Sequence, residues 1–404
     1  MRRLFVLLAS ALIMLGLARP ARAQSAVEVT DVQVNYTFGE EIIFAARLHS
    51  QSSIRDASLL LLVEGEQQAR SFPLTVASDG SVQYRYVLQP GTVRPYARVT
   101  FWFECSLASG EKVASARYFF KYDDNRYTWQ TLQDESLRIH WYSGEAAFGQ
   151  AALEAARLGL QTMRGLIPVA AGEPIDVYIY ASAADVQKAL GLNGLTWVSG
   201  HASPDLGAVL VSIAPGEGQA EELQRQIPHE LAHVLLYRMT GPAYNGLPAW
   251  LREGLASLAE QIPNNGDSQM LKTASRNKAL LPISDLCGLF PQDASGAGLA
   301  YAESASFTRY LHATYGTPGL LALIRAYTEG LDCTSGASRA FGLPLSQLDL
   351  RWQQAELGKN ETGIALENML PYLAILVAIL IAPAWYVFLT LRSRREAHGK
   401  PKSD

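Results

Sequence analysis

Residues 227–236 form an apolar run in which His229 and His233 stand four positions apart, with Glu230 between them. Side chains at this spacing lie on one face of an α-helix, so both imidazoles can reach a single metal ion. Zinc suits such a pair because it binds imidazole nitrogen, accepts three protein ligands and lowers the pKa of a water in its open position. Glu230 could accept that water's proton. An ordinary buried helix could also carry these three residues by chance.

A second helical segment supplies a third candidate ligand. Apolar residues recur at helical spacing across 247–260, and Glu253 lies in the first turns. A short turn-rich link through 241–246 separates the two segments. Helices joined by such a link usually pack antiparallel, which would bring Glu253 opposite His229 and His233. The sequence therefore predicts a metal site of two histidines and one glutamate.

The combination of H-E-L-A-H and W-L-R-E-G resembles the gluzincin class of zinc metallopeptidases, specifically the peptidase MA-like group of thermolysin-related domains. The resemblance covers about residues 130–355. It implies one Zn²⁺ per chain, with His229, His233 and Glu253 as ligands and Glu230 as the general base. The metzincin class matches less well, because no H-x-x-G-x-x-H continuation follows His233.

Two positions near the motif are unusual for such a site. Pro228 directly precedes the first histidine, and proline inside a helix removes a backbone hydrogen bond, so the helix is expected to kink or to begin there. Thermolysin-like enzymes often place an acidic residue one turn after the third ligand to orient a ligand histidine, and here that position is Ser257. The sequence thus leaves the partner of His229 open.

The resemblance also implies roles for residues outside the two helices. A Tyr-x-x-Ser helix often closes the cleft in this group, which makes Tyr301 a candidate donor to the developing oxyanion. A tyrosine buried in the core is the alternative. In such enzymes an edge strand near the zinc pairs with the extended substrate, and strand 207–213 is the candidate. His201 is predicted to lie in an exposed loop, with a place near the cleft as the alternative.

Period-two alternation of apolar residues dominates the first hundred residues of the mature chain, and turn signals separate the runs. This pattern predicts an antiparallel β-sandwich over 24–123, similar in architecture to immunoglobulin or fibronectin type III modules. A mixed sheet followed by helices is predicted over 130–357, where the resemblance implies a thermolysin-like metallopeptidase domain. The fold class is therefore α+β.

Three cysteines permit one disulfide in an oxidising compartment. Cys287 and Cys333 both follow the metal motif and are the predicted pair. Cys105 belongs to an alternating apolar run, so its side chain is predicted to lie in a core.

Both ends of the chain carry targeting signals. Residues 1–23 read as a secretory signal peptide, with an uncleaved anchor as the alternative. Residues 369–391 are uncharged for 23 positions, which is long enough to cross a bilayer of about 30 Å, although a buried core helix is also possible. The basic tail 392–404 is then cytoplasmic. We therefore expect a single-pass type I protein of the cell membrane whose catalytic domain is extracytoplasmic.

The charge of the chain limits its partners. The net charge is −4, and it becomes more negative once the basic signal and tail are left out, so nucleic-acid binding is not expected. The predicted function is a membrane-anchored zinc metallopeptidase acting on a peptide or protein, of undetermined oligomeric state. A surface-binding or adhesion protein with a catalytically inert peptidase-like domain is the alternative, and a zinc hydrolase acting on a non-peptide amide is a third possibility.

Overall fold

The computed structural model describes most of the chain between the two ends, namely residues 27–170, 172–191 and 200–358, with scattered residues between 369 and 389. The predicted signal peptide (1–23) and basic tail (392–404) lie outside the described residues, as does much of the predicted transmembrane helix (369–391). Within the part of the chain that is described, no helix has the length and apolar character needed to span a membrane.

The chain divides into two compact units. The first contains residues up to Leu153 together with Glu173–Gln219, and the second contains Glu154–Gly172 together with everything from Ala220. The predicted limits of the sandwich and the peptidase domain, 24–123 and 130–357, stay predictions.

Antiparallel strands make up the N-terminal part of the first unit, as predicted. In chain order they are β1 (Val27–Thr37), β2 (Glu41–Ser50), β3 (Ile54–Val63), β4 (Arg70–Leu74), β5 (Ser81–Val87), β6 (Arg98–Leu107), β7 (Lys112–Ala114) and β8 (Tyr118–Lys121). One sheet has the order β1-β2-β5, and the other has the order β4-β3-β6-β7 with β8 also paired to β6. The rings of Phe44 and Phe101, one from each sheet, lie 5.0 Å apart in the shared core. Cys105 is buried there with a free thiol, which confirms its predicted place.

A mixed five-stranded sheet also belongs to the first unit, as does the helix Ala183–Leu190. Its strands are β9 (Gln130–Gln133), β10 (Leu137–Trp141), β11 (Ile175–Tyr180), β12 (Gly200–Ser203) and β13 (Ala208–Ser212). The spatial order is β12-β13-β11-β10-β9, with β10, β11 and β13 parallel and the two outer strands antiparallel. The predicted mixed sheet is therefore confirmed.

The prediction that strand 207–213 forms an edge of the sheet is wrong. Strand β13 pairs with β11 on one side and with β12 on the other, so both rows of its backbone groups are engaged. The edge is β12, which contains His201 opposite Leu210. His201 is exposed as predicted, but it lies in a strand rather than in a loop. Residues 192–199, which directly precede β12, lie outside the described residues.

Helices form the second unit. The helices described up to residue 358 are α1 (Ala146–Leu166), α2 (Ala183–Leu190), α3 (Gln219–Thr240), α4 (Ala249–Ala259), α5 (Asn265–Arg276), α6 (Ala294–Thr328), α7 (Cys333–Phe341) and α8 (Leu345–Leu357). Of these, α2 and the first turns of α1 belong to the first unit. Helix α6 is kinked at Gly316, where the backbone takes φ 66° and ψ −177°. Glycine adopts a positive φ without the steric penalty of other residues.

The predicted disulfide between Cys287 and Cys333 is present, with the two Cα atoms 6.0 Å apart. Cys287 follows the 3₁₀ turn Ile283–Leu286, and Cys333 is the first residue of α7. The bond therefore ties a connecting segment to the start of a helix within the second unit.

A buried carboxylate of the mixed sheet, Asp176, contacts three basic side chains. Asp176 accepts hydrogen bonds from Lys121 Nζ at 2.8 Å and from Arg138 at 2.8 Å, and it lies 2.9 Å from His140 Nε2. Burial raises the pKa of Asp176, but hydrogen bonds from His140 and Lys121 outweigh burial and lower this pKa to about 2. The cluster therefore stabilises the folded state through the ionised form of Asp176.

The substitution Asp176→Asn is expected to lower the free energy of unfolding by about 2 kcal/mol at neutral pH. Because the folded-state pKa is depressed, this stabilisation is complete above the unfolded-state pKa of about 3.9 and disappears as the pH falls toward about 2. Denaturant unfolding at several pH values measures the difference. The control is Asp31→Asn, which removes an exposed pair with Arg47 and should cost less than about 0.5 kcal/mol. A parent-to-variant difference that stayed constant down to acid pH would contradict the assignment.

Candidate metal centre

Helices α3 and α4 bring the three predicted ligand side chains together. Glu253 Oε2 lies 3.4 Å from His229 Nε2 and 3.5 Å from His233 Nε2. The three ligand atoms all lie within 4.8 Å of one another. His229 and His233 are one turn apart on α3, as their spacing requires, and their rings are 5.3 Å apart. The structure therefore places two imidazole nitrogens and one carboxylate oxygen around a common point.

Glu230 is half-buried beside this cluster. Burial raises the pKa of its carboxyl group, while the positive charges of His229 and His233 lower it, and the net shift is upward. The charges of the candidate ligands therefore act on the Glu230 carboxylate. At such a position the carboxylate could exchange a proton with a metal-bound water.

Glu260 is the partner of His229 that the sequence did not identify. Its Oε1 lies 2.8 Å from His229 Nδ1, so the imidazole can donate from Nδ1 while Nε2 faces Glu253. Glu260 follows Glu253 by seven residues, which is about two helical turns on the same face. Inspecting the position two turns after Glu253, as well as Ser257 one turn after it, would have found this carboxylate.

Tyr244 is the corresponding partner of His233. The tyrosine hydroxyl lies 3.0 Å from His233 Nδ1, in a buried contact. The guanidinium of Arg252 lies over the Tyr244 ring, 5.3 Å from its centre. Tyr244 belongs to the 3₁₀ turn Gly241–Gly246. The spacing of apolar residues does not predict such a turn, so nothing in the sequence indicated this contact. The two histidines are thus oriented by different groups, a carboxylate and a phenol.

Pro228 lies inside α3, which starts nine residues before it and continues to Thr240. Proline has no amide hydrogen, so the carbonyl of Gln224 lacks its usual partner four residues on. The backbone N–H of Gln261 donates to that carbonyl at 3.0 Å. The freed carbonyl therefore anchors the segment directly after Glu260. Of the two alternatives that the sequence left open, a kink or a helix start at Pro228, the helix start is wrong, because the proline lies within the helix.

Glycine allows the helix that carries Glu253 to approach α6 closely. A Cβ atom added at Gly254 would lie 2.6 Å from the carbonyl oxygen of Ser304 and would also overlap the side chain of Thr308. Real Cβ atoms do not come this near to backbone oxygens. The glycine in W-L-R-E-G therefore determines how near α4 lies to α6, and with it the position of the candidate ligand Glu253.

Tyr301 lies on α6 and the relative exposure of the residue is 36%, so the alternative of a core tyrosine is wrong. Burial of part of the residue and the negative charges of Glu253 and Glu230 raise the pKa of Tyr301, which keeps its hydroxyl protonated. A protonated phenol in that field can act as a hydrogen-bond donor.

The charges around the ligands favour the observed arrangement. Burial lowers the pKa of His229, but hydrogen bonds to Glu253 and Glu260 raise it to about 10. Burial raises the pKa of Glu253, whereas the charge of His233 and the hydrogen bond from His229 bring that pKa well below its usual range. Two imidazoles and one carboxylate are a donor set that zinc accepts while leaving a position open, so the residues present fit a divalent metal.

Comparison with known proteins gives one family match in sequence. The model of the peptidase MA superfamily matches residues 155–357. No curated protein matches the chain.

Solved structures resemble only parts of the chain. One described as "Myokine structure" is 11% identical, covers 25% of this chain and 99% of its own, and has a TM-score of 0.20. A bromine derivative of BhCBM56 is 11% identical, covers 22% of this chain and 88% of its own, and has a TM-score of 0.18. OgpA from Akkermansia muciniphila is 15% identical, covers 25% of this chain and 30% of its own, and has a TM-score of 0.20. Scores this low identify neither fold nor function.

Proposed function

Because the chain belongs to the peptidase MA superfamily, we propose that it is a zinc metallopeptidase of the gluzincin type with a thermolysin-like catalytic domain. Members of this superfamily are generally metal-dependent and act on peptides or proteins. The observation that carries the proposal is the convergence of His229, His233 and Glu253 within 4.8 Å, with Glu230 beside them.

The residues of the site have separate tasks in this proposal. Zinc held by the three ligands would supply Lewis acidity, which lowers the pKa of a water molecule and polarises a peptide carbonyl. Glu230 takes the proton from the attacking water and returns it to the leaving amine. The Tyr301 hydroxyl donates a hydrogen bond to the oxygen of the attacked carbonyl as negative charge develops there. Glu260 and Tyr244 hold the two imidazoles in position.

A peptide library tests the proposal directly. The purified full-length protein, supplied with zinc, is expected to cleave peptides, and a chelator should abolish the cleavage until zinc is restored. Mass spectrometry of the products shows which bonds are broken. Zinc bound at one ion per chain without cleavage of any peptide would overturn the proposal and favour the inert, surface-binding alternative.

We also propose that the protein is anchored in the cell membrane by residues 369–391, with the metal site outside. The uncharged stretch and the basic residues that follow it support this orientation. An externally added protease should degrade the metal-binding unit in intact cells and spare an epitope fused after Asp404. Protection of the metal-binding unit, or recovery of the full-length protein in the soluble fraction, would contradict the proposed topology.

The residues that orient the histidines are expected to control metal affinity. Glu260→Gln and Tyr244→Phe should each raise the Kd for zinc by about 10- to 100-fold, because removing a hydrogen-bond partner of a ligand histidine weakens its hold on the metal. Competition with a chromophoric chelator measures this Kd. The matched control is Tyr237→Phe: its ring packs near Tyr244, but its hydroxyl contacts neither histidine among the described hydrogen bonds. Equal zinc affinity in all four proteins would show that these contacts do not orient the ligands.

A further inference from the structure

The outer face of one sheet of the sandwich carries aromatic side chains. Strand β6 alternates between the core, where Phe101 and Phe103 are buried, and the solvent side, where Trp102 lies. Phe119 of β8 pairs with Thr100 of β6 and therefore lies on the same side as Trp102. The relative exposure of Phe119 is 65%, the highest among the large apolar residues described in the first unit. The solvent side of an antiparallel sheet is normally polar, so this aromatic position is unusual.

Two arginines lie against these rings. The guanidinium carbon of Arg98 is 4.7 Å from the centre of the Phe119 ring. The guanidinium carbon of Arg117 is 4.6 Å from the centre of the Trp102 ring. At such distances the face of an aromatic ring attracts a cation, which restricts where the guanidinium lies. We call Trp102, Phe119, Arg98 and Arg117 the aromatic face.

Neither guanidinium has a carboxylate partner within the described part of the chain, although Arg98 and Arg117 are both exposed. The carboxylate on the same side of β6, Glu104, instead accepts the Trp102 indole N–H at 3.3 Å. An arginine presents its N–H donors in one plane, where two of them match the two oxygens of a carboxylate. Both guanidiniums are therefore available to an anionic ligand.

The neighbouring charges also favour an anion. Lys112 of β7 lies on the outer side of the sheet and adds a third cation. Lys121 and Asp56 lie on this side as well, but each forms an ion pair with a neighbouring residue. On strands β3, β6, β7 and β8 and on the link that carries Arg117, the unpaired charges described are thus three cations and the carboxylate of Glu104.

The size of the aromatic face decides between kinds of anionic partner. A stable protein interface covers about 800 Å² on each partner and has several apolar anchors, whereas one ring is widely exposed here. Anionic membranes are bound by clusters of about four to eight basic residues, and this side of the sheet has three unpaired cations. A polysaccharide needs less area, because each sugar ring packs its apolar C–H side on an aromatic ring. A uronic acid unit adds a carboxylate for a guanidinium.

We propose that the aromatic face binds an acidic polysaccharide. Phe119 packs against the C–H side of a sugar ring, and Arg98 and Arg117 pair with uronate carboxylates along the polymer. This role goes beyond the proposed peptidase function and does not depend on it, since it uses neither the metal ligands nor Glu230. The sandwich thereby acquires a function of its own, which is to hold the protein at an anionic glycan.

Polygalacturonate and its fully methyl-esterified form test the proposal, because the ester keeps the sugar rings and removes the charge. Affinity electrophoresis of the purified full-length protein in detergent, through gels that contain either polymer, measures the Kd for each. We expect the Kd for polygalacturonate to be at least about tenfold lower than the Kd for the ester. Equal affinity for both polymers, or binding of neither, would overturn the proposal.

Substitutions on the aromatic face identify the binding residues. Phe119→Ser and Arg98→Gln should each raise the Kd for polygalacturonate by about tenfold, because one removes the packing surface and the other removes a charged donor. Glu104→Gln should lower this Kd severalfold, since it removes the unpaired carboxylate beside the cations. The matched control is Val87→Ser, which changes an exposed apolar residue of the other sheet and should leave the Kd unchanged. A Phe119→Ser variant that kept the parent's Kd would refute the proposed site.

A competition experiment separates a glycan from an acidic protein segment as the occupant. Polyglutamate carries carboxylates without sugar rings, so it should displace labelled polygalacturonate from the full-length protein at least about tenfold less effectively than unlabelled polygalacturonate does, per carboxylate. Equal competition would overturn the assignment to a glycan and favour an acidic peptide. Polysaccharide binding by a protein that cleaves no peptide would support this inference while the peptidase proposal failed, so the two outcomes are independent.

Discussion

Glu230→Gln is expected to lower kcat for peptide cleavage by about a thousandfold, while zinc stays bound at one ion per chain. The amide has nearly the shape of the carboxylate, but it cannot accept a proton from water or pass one to the leaving amine. Glu230 is not among the three grouped ligand side chains, so metal binding should survive its replacement. The change therefore isolates proton transfer from metal binding.

The measurement pairs kinetics with metal analysis on the same preparation. Glu221→Gln is a suitable control, because Glu221 is an exposed glutamate near the start of the same helix and should retain full activity. If Glu230→Gln were as active as the parent, another group would have to act as the base. If it lost zinc together with activity, Glu230 would have to be counted among the groups that hold the metal.

Gly254→Ala is expected to destabilise the protein by about 3 kcal/mol and to weaken zinc binding at the same time. The added methyl group meets the backbone oxygen of Ser304, which cannot rotate away as the end of a flexible side chain could. Helix α4 must therefore move from α6, and the movement displaces Glu253, the adjacent residue. Alanine is otherwise the better helix former, so the loss would have to exceed a gain of about 1 kcal/mol.

Gly165→Ala provides the matched control for this substitution. Gly165 also lies in a helix, α1, and a Cβ added there meets no atom within 4 Å. This variant should be more stable than the parent by up to about 1 kcal/mol. Denaturant unfolding of the metal-free proteins, together with zinc titration, compares the two. An increase in the free energy of unfolding for both variants would contradict this prediction, because it would show that α4 and α6 can separate enough for the added methyl group at little cost.

Local sequence patterns were sufficient to predict much of the fold. Alternation with period two identified the antiparallel strands, and the histidine spacing on one helix needed only the geometry of that helix to be interpreted correctly. The Cys287–Cys333 pair followed from the small number of cysteines. The strand residues and the two histidines each lie within one secondary-structure element. For the disulfide, three cysteines allow only three possible pairings.

Features that depend on which elements meet were harder to predict. The family resemblance implied an edge role for strand β13, but its pairing with β11 and with β12 shows that it is internal. Glu260 and Tyr244 lie on different elements from the histidines they contact. Their roles arise from the packing of α3 against the segments that follow it, which no single-element period encodes.

Pro228 would attract attention in any search for stabilising substitutions, since alanine at an inner helical position normally restores a missing bond. In a Pro228→Ala variant, the new backbone N–H at position 228 would compete with the N–H of Gln261 for the carbonyl oxygen of Gln224. The oxygen of Gln224 would then be shared between two donors, which would weaken the hydrogen bond that anchors the segment holding Glu260 against His229. Removing the apparent defect would thus add a helical hydrogen bond at the expense of the contact between Glu260 and His229, because the proline's missing amide hydrogen leaves the oxygen of Gln224 to Gln261 alone.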